Sequence, residues 1–231
     1  PNSDFSSATG WTTSDSSNTY VDESAGKMVW KIDSSEDTIY WDLGSPASDT
    51  VWDLRFTINF DDLPSQSAGS FFSIVMSDVT GDLDISGDSI GMDWRYDPYM
   101  SSPYNSGVYL SIDQDDDDWG YGYGSGHTDN QQDWAVSEDT DYFMEIARTS
   151  ATEYAVNRYT DNTYGTIADT AEGTTTATVD GLQYVKFSSW VHSGDVSDVL
   201  IDDVKFYNGG LISASPTTNY YANGVLQQTV T

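Results

Sequence analysis

Cysteine is absent, which removes disulfides, thiol catalysis and cysteine-based zinc sites together. Histidine is nearly absent: His127 and His192 stand far apart in Ser/Gly-rich surroundings and read as loop residues rather than zinc or haem ligands. Basic residues are scarce too. Eight Lys and Arg face 38 Asp and Glu, a formal net charge of −30, so nothing here can neutralise a run of phosphates or dock on an anionic lipid surface. No apolar run approaches the roughly 20 residues that cross a bilayer as a helix. Nucleic-acid binding and membrane insertion are therefore not expected. The opening Pro1-Asn2-Ser3 reads as the start of a trimmed product rather than of a leader.

What the chain does hold is aromatic and acidic. Aromatics make up 14% of its 231 residues, including 8 Trp and 16 Tyr, enough burial area to argue against disorder despite the low hydropathy. Only six of the 38 acids are Glu; the rest are Asp, a residue of turns, caps and calcium ligation rather than of helical surfaces. A charge of this size repels itself unless salt screens it or bound cations neutralise it. That points to an extracellular setting rich in sodium, calcium or both, such as seawater or brine, and so to a marine or halophilic cell surface or a virion surface.

No segment of a dozen residues carries a helical period. Short aromatic and β-branched runs alternate instead with Ser/Thr/Asp/Gly clusters, which predicts strands near 18–22, 27–32, 37–43, 50–60, 69–77, 89–96, 106–112, 141–148, 152–159, 174–179, 183–191 and 199–207. In Trp52-Asp53-Leu54-Arg55-Phe56-Thr57-Ile58-Asn59-Phe60 every second residue is apolar, so one face is buried and one wet. Tyr142 to Arg148 and Tyr154 to Tyr159 behave similarly, with a hairpin turn starting at Thr149-Ser150. About a dozen strands are too many for one small sheet and predict an all-β fold, a two-sheet antiparallel β-sandwich or jelly roll, over residues 1–209. Residues 113–134, an acidic run followed by a glycine–aromatic alternation, break the pattern and read as a long loop. The tail, 210–231, contains a hairpin signal at Asn223-Gly224; it reads as an extra hairpin, a linker or a strand given to an identical subunit.

The two ends carry a resemblance. Asp4-Phe5-Ser6-Ser7-Ala8-Thr9-Gly10-Trp11 opens the chain and Val199-Leu200-Ile201-Asp202-Asp203-Val204-Lys205-Phe206-Tyr207 closes the core. This pairing resembles the concanavalin A-like and carbohydrate-binding-module jelly rolls, and the hairpin from Tyr142 to Tyr159 resembles their laminin-G-like members. The last strand has its own physical signal: Val199 and Ile201 share one parity, Val204 and Phe206 the other, so the phase changes at Asp202–Asp203. Either a bulge or an inward carboxylate follows, or the strand is two-sided with solvated aspartates. The resemblance implies a structural calcium held by Asp202 and Asp203 near the N-terminal segment, around Asp4. The run Asp113 to Asp118 lacks the glycine and terminal glutamate of an EF-hand loop and reads as a solvated acidic loop.

Trp94, Tyr96, Tyr99, Tyr104, Trp119, Tyr121, Tyr123 and Trp134 crowd into one stretch among polar neighbours. Sugar rings stack their apolar faces on aromatics while their hydroxyls meet Asp, Asn or Gln, so Asp118, Trp119, Tyr121 and Tyr123 are the candidate glycan-binding residues. Trp94 alternates with Ile90 and Met92 and is expected to point inward. Catalysis is weakly supported: retaining hydrolases that share this jelly roll use closely spaced glutamates on one strand, and neither Glu-x-Asp-x-Glu nor its one-residue-longer variant occurs here. Glu145 and Glu153 lie on two arms of a hairpin, but their neighbours read as surface. The expectation is a non-enzymatic extracellular module that binds a glycan or other cell-surface polymer, with calcium stabilising the fold. The alternatives are a structural subunit of a filament, sheath or virus particle assembling through 210–231, and a glycoside hydrolase.

Overall fold

The computed structural model of the chain describes residues 2–3, 10–14, 19–32, 37–63, 69–80, 88–96, 108–115, 134, 136–174, 179–189, 197–209, 218–222 and 225–230. Asp4, Asp118, Trp119, Tyr121, Tyr123, His127 and His192 lie outside these residues. The first strands are β1 (Asn2–Ser3), β2 (Trp11–Thr13), β3 (Thr19–Asp22), β4 (Lys27–Ile32) and β5 (Asp37–Asp42). The long middle strands are β6 (Trp52–Asp62), β7 (Gly69–Ser77), β8 (Ser89–Tyr96), β9 (Val108–Asp115) and β10 (Asp141–Arg148). There follow β11 (Glu153–Tyr159), β12 (Ile167–Thr174), β13 (Tyr184–Ser189), β14 (Ser197–Asn208), β15 (Thr218–Ala222) and β16 (Val225–Val230).

These strands form two antiparallel sheets and a separate hairpin. The eight-stranded sheet runs β12-β11-β10-β6-β14-β4-β3, with β1 also on β14; the six-stranded sheet runs β2-β5-β13-β7-β8-β9; β15 pairs only β16. The fold is a β-sandwich of jelly-roll type. Its core follows from alternation: Trp52, Leu54, Phe56, Ile58 and Phe60 of β6 are each fully buried, opposite Phe72, Ile74, Met76, Ile90, Met92, Val185 and Phe187 of the other sheet. Aromatic edges stitch the sheets, with Trp30 on Phe72 at 5.2 Å, Phe60 on Trp94 at 5.5 Å and Phe56 on Phe187 at 6.4 Å. Each such contact adds about 0.5–1.5 kcal/mol to the area it buries. Trp94 points inward as its alternation requires, 2% exposed, and Trp134 joins the same core.

Strands β1, β2 and β12 are additions to the sequence reading, and β9 runs past its expected end. Of the strand expected at 174–179, Thr174 is the last residue of β12, and 175–178 lie outside the described residues. The Tyr154 ring lies across its cross-strand partner Gly173, where an added Cβ would meet ring atoms at 2.4–2.6 Å, so packing selects a strand with small inward residues. The strand expected to end at 112 continues to Asp115 inside the acidic run, with Asp113 opposite Gly91 and Asp115 opposite Ser89. Backbone pairing at a sheet edge is indifferent to the charge of the residues that make it. The hairpin around 149–153 forms as read, Thr149 N and Ser150 N both donating to Glu153 O.

Candidate functional site

The parity change in β14 is a bulge. Val199 lies opposite Phe60 and Ile201 opposite Ile58; the register then slips between Asp202 and Lys205, after which Phe206 lies opposite Leu54. Asp203 absorbs the slip with a φ of 54°, and Val199, Ile201, Val204 and Phe206 all reach the core. The bulge leaves Asp202 in register with Thr57 on the outer face of the eight-stranded sheet. There the Asp203 N–H donates to Asp202 Oδ1 at 2.6 Å, while the Asp203 carboxylate is paired with Lys205. Burial raises the Asp202 pKa, with the charges of Asp203 and Asp141 adding to it and the Asp203 N–H and Lys27 opposing. In this respect Asp202 is unlike Asp22, Asp42 and Asp161, whose pKa values are lowered chiefly by side-chain hydrogen bonds from Ser24, Gln183 and Thr163.

Asp202 thus fits a cation: it is a half-buried carboxylate whose ionised form is disfavoured. Asp203 fits less well, because its carboxylate already has an ammonium. Among the described residues no three acidic or histidine side chains converge as a metal would require. Asp4, the third expected ligand, is outside the described residues.

Next to this corner lies a network that the sequence reading misplaced. Glu145 is not a surface charge; it is 4% exposed. Its Oε1 accepts from Arg55 Nε at 2.7 Å, and its Oε2 accepts from Asn157 Nδ2 at 2.8 Å and Tyr159 OH at 2.6 Å. The turn after β11 folds Tyr164, φ 54°, over the same face; its ring lies 4.7 Å from the Arg55 guanidinium and edge-on to Tyr159 at 5.1 Å. Burial pulls the Arg55 pKa down and the Glu145 carboxylate more than offsets it, so the net shift is upward. Burial, reinforced by Glu145, also pushes the Tyr159 phenol up. Glu153 does not face this carboxylate: it lies opposite Thr174, whereas Glu145 lies opposite Asn157. Both Glu145 oxygens are taken up as acceptors inside the protein and Glu153 stands on a different register position, so the two glutamates do not face each other as a pair.

The outer face of the six-stranded sheet carries a second polar layer that sequence reasoning missed. Lys186 is 1% exposed there, in register between Val75 and Tyr40. Beside it Ser188 lies between Ser73 and Thr38, and the Thr38 and Ser188 hydroxyls are 3.1 Å apart. Tyr40 and Tyr184 pack edge to face at 5.7 Å. In sequence Lys186 sits at an ordinary outward position of an alternating strand, with nothing to mark it as enclosed. Gly91 completes the layer, since β8 approaches β7 so closely that a Cβ would fall 2.1 Å from the Ile74 carbonyl oxygen. The edge strand β9 ends at Asp115, and the candidate glycan residues Asp118, Trp119, Tyr121 and Tyr123 follow it in the chain. The next described residue is Trp134, buried, with the Arg158 guanidinium 5.7 Å from its ring.

No protein-family model matches the sequence, and neither does any curated protein. Solved structures do. The exoplasmic/lumenal domain of VIP36 in its Ca2+/Man3GlcNAc-bound form aligns with a TM-score of 0.60 at 14% identity, over 87% of this chain and 85% of that one. The carbohydrate recognition domain of Emp47p aligns at 0.57 and 10% identity, over 88% and 90%. A glycosyl hydrolase family protein from Mycobacterium fortuitum aligns at 0.50 and 12% identity, over 90% and 98%. At such identities the likeness speaks for architecture: this chain has the concanavalin A-like jelly-roll fold, two antiparallel sheets over a shared aromatic core.

Proposed function

We propose that this chain is a non-enzymatic glycan-binding module working in a secreted or lumenal setting. The observation that carries the reading is the likeness, over nearly the whole of both chains, to a VIP36 domain holding calcium and a mannose-type glycan. Asp118, Trp119, Tyr121 and Tyr123 form the sugar-facing set, the rings stacking on the apolar faces of a pyranose and the carboxylate accepting from its hydroxyls. Glu145, the most buried glutamate among the described residues, is held in a structural network, which favours binding over hydrolysis. On this reading Trp119→Ala and Tyr123→Ala each weaken retention on a glycan column by roughly tenfold or more, about 1.4 kcal/mol each, with the melting temperature unchanged. Retention unaltered in both variants would remove the aromatic segment from the site. Release of reducing sugar by the unaltered chain would favour the hydrolase alternative.

Calcium belongs to the proposal as a stabiliser, held by Asp202 and Asp203 with Asp4. When bound it would supply positive charge to the Asp202 carboxylate, whose ionised form burial disfavours. Asp202 makes the test sharp, because its sign reverses. A carboxyl whose folded-state pKa is raised favours the fold while protonated; that benefit is complete below the ordinary value of 3.8 and is lost as pH climbs through the raised one. At neutral pH in chelator, Asp202→Asn therefore raises the melting temperature. In calcium the same substitution removes a ligand and lowers it. A shift of one sign in both buffers, at constant ionic strength, would count against the ion.

A further inference from the structure

Lys205 is the last charged residue of the chain: from 206 to 231 there is no Asp, Glu, Lys or Arg, in a protein of net charge −30. Within this charge-free stretch β15 and β16 pair with each other and, among the described strands, with nothing else. A two-stranded hairpin alone in water is marginal and needs a third strand or a covering face. Each of its strands keeps one side of backbone N–H and C=O groups without a neighbouring strand.

A matching vacancy exists on the sandwich. Strand β12 closes the eight-stranded sheet and, among the described strands, is paired only to β11. Its eight residues include no proline and no lysine, the usual devices that blunt an open edge. Asp169 on it is paired with Arg158, its other acid, Glu172, is exposed, and Ile167 is 49% exposed, the most exposed large apolar side chain among the described residues. The competing edges are poorer: β3 and β2 have four and three residues, and β9 runs into the acidic stretch 113–118.

We infer that the β15–β16 hairpin of one copy adds to the β12 edge of a second copy, extending its eight-stranded sheet by two strands. Two chains of charge −30 repel, so a contact between them is best made by a segment that brings no charge. The hairpin and the edge are different surfaces, so the contact is heterologous and propagates into open chains or rings of molecules. The same chain's own edge is the competing target. Asn208 is linked through Trp52, Arg148 and Tyr154 to Gly173, four strand spacings; a strand added beyond β12 lies a fifth away, about 24 Å in all, and residues 210–217 can span at most about 27 Å.

The test uses full-length chains without sugar, in high salt, by sedimentation over a concentration series. The unaltered protein is expected to rise in mass past two chains as concentration increases. Leu226→Asp with Val230→Asp charges the hairpin; Ile167→Lys with Ala168→Lys charges the edge at two exposed positions. Each double variant is expected to remain a single chain with the melting temperature of the parent. Mixed one to one they should form a two-chain species and nothing larger, because one retains the edge and the other the hairpin. If the unaltered protein stays a single chain at every concentration, the hairpin serves its own molecule or none, and the inference is wrong. It is equally wrong if the hairpin variant associates as the parent does.

Discussion

Arg148→Ala is expected to destabilise the sandwich by about 3–5 kcal/mol, the usual cost of removing one partner from a buried charged network. Arg148 is the last residue of β10, 1% exposed, flanked in register by Trp52 and Tyr154. Its Nε donates to Ser150 O at 3.2 Å, and its Nη2 donates to Ala151 O at 2.7 Å and Val179 O at 2.8 Å. One guanidinium thus ties the β10–β11 turn to the segment entering β13. Burial lowers its pKa while the nearby charges of Asp49, Asp180 and Asp88 oppose that shift, and a guanidinium stays charged regardless. Alanine leaves three carbonyls without their donor and removes a positive charge from the neighbourhood of Asp49, Asp180 and Asp88. In a domain of this size the loss corresponds to a fall of about 6–20 °C in melting temperature. Arg148→Lys keeps the charge but not the fork, and should fall between. Denaturant unfolding reads the difference directly; a loss below about 1 kcal/mol would mean that water replaces the guanidinium.

The second large effect is at Glu145. Glu145→Ala is expected to cost about 3–5 kcal/mol, because it strands the half-buried Arg55 and leaves the Asn157 amide and the Tyr159 hydroxyl without their acceptor. Glu145→Gln keeps an acceptor for Tyr159 but removes the charge opposite Arg55, and should cost about 1–3 kcal/mol. The informative variant replaces both ends: Arg55→Met with Glu145→Leu fills the space with apolar groups and should recover most of the loss, since exchanging a buried ion pair for packing is often neutral. If the double variant is as unstable as Glu145→Ala, the network matters through Asn157 and Tyr159 rather than through its charge.

These two residues mark where sequence reading stops. Alternation at period two is local, so the core face of β6 and the phase change at Asp202–Asp203 are legible from parity, while the choice of a bulge over an inward carboxylate is made by the register against β6. The turn signal at Asn223-Gly224 falls between β15 and β16, which pair with each other. Glu145 is not legible, because its outer-face position becomes buried only when Tyr164, from the turn beyond the next strand, folds over Arg55. Arg148 looks like a hairpin-end surface charge until Val179, thirty-one residues away, supplies a carbonyl. Strand β12 escapes notice because it was selected for smallness under the Tyr154 ring, which no β-propensity rewards. Of the candidate site, the sequence speaks for the aromatic residues after β9 by composition alone, and geometry adds only the strand end they follow and the Asp202 carboxylate.

The most direct measurement of the central claim is retention of the intact chain on a glycan array spanning mannose oligomers and acidic polysaccharides, in calcium and again in chelator, with reducing-sugar release assayed on the same surfaces. The account predicts selective retention on a subset of glycans, weaker in chelator and without release of sugar. Absence of retention on every glycan in calcium would contradict it, and so would turnover of any that is bound.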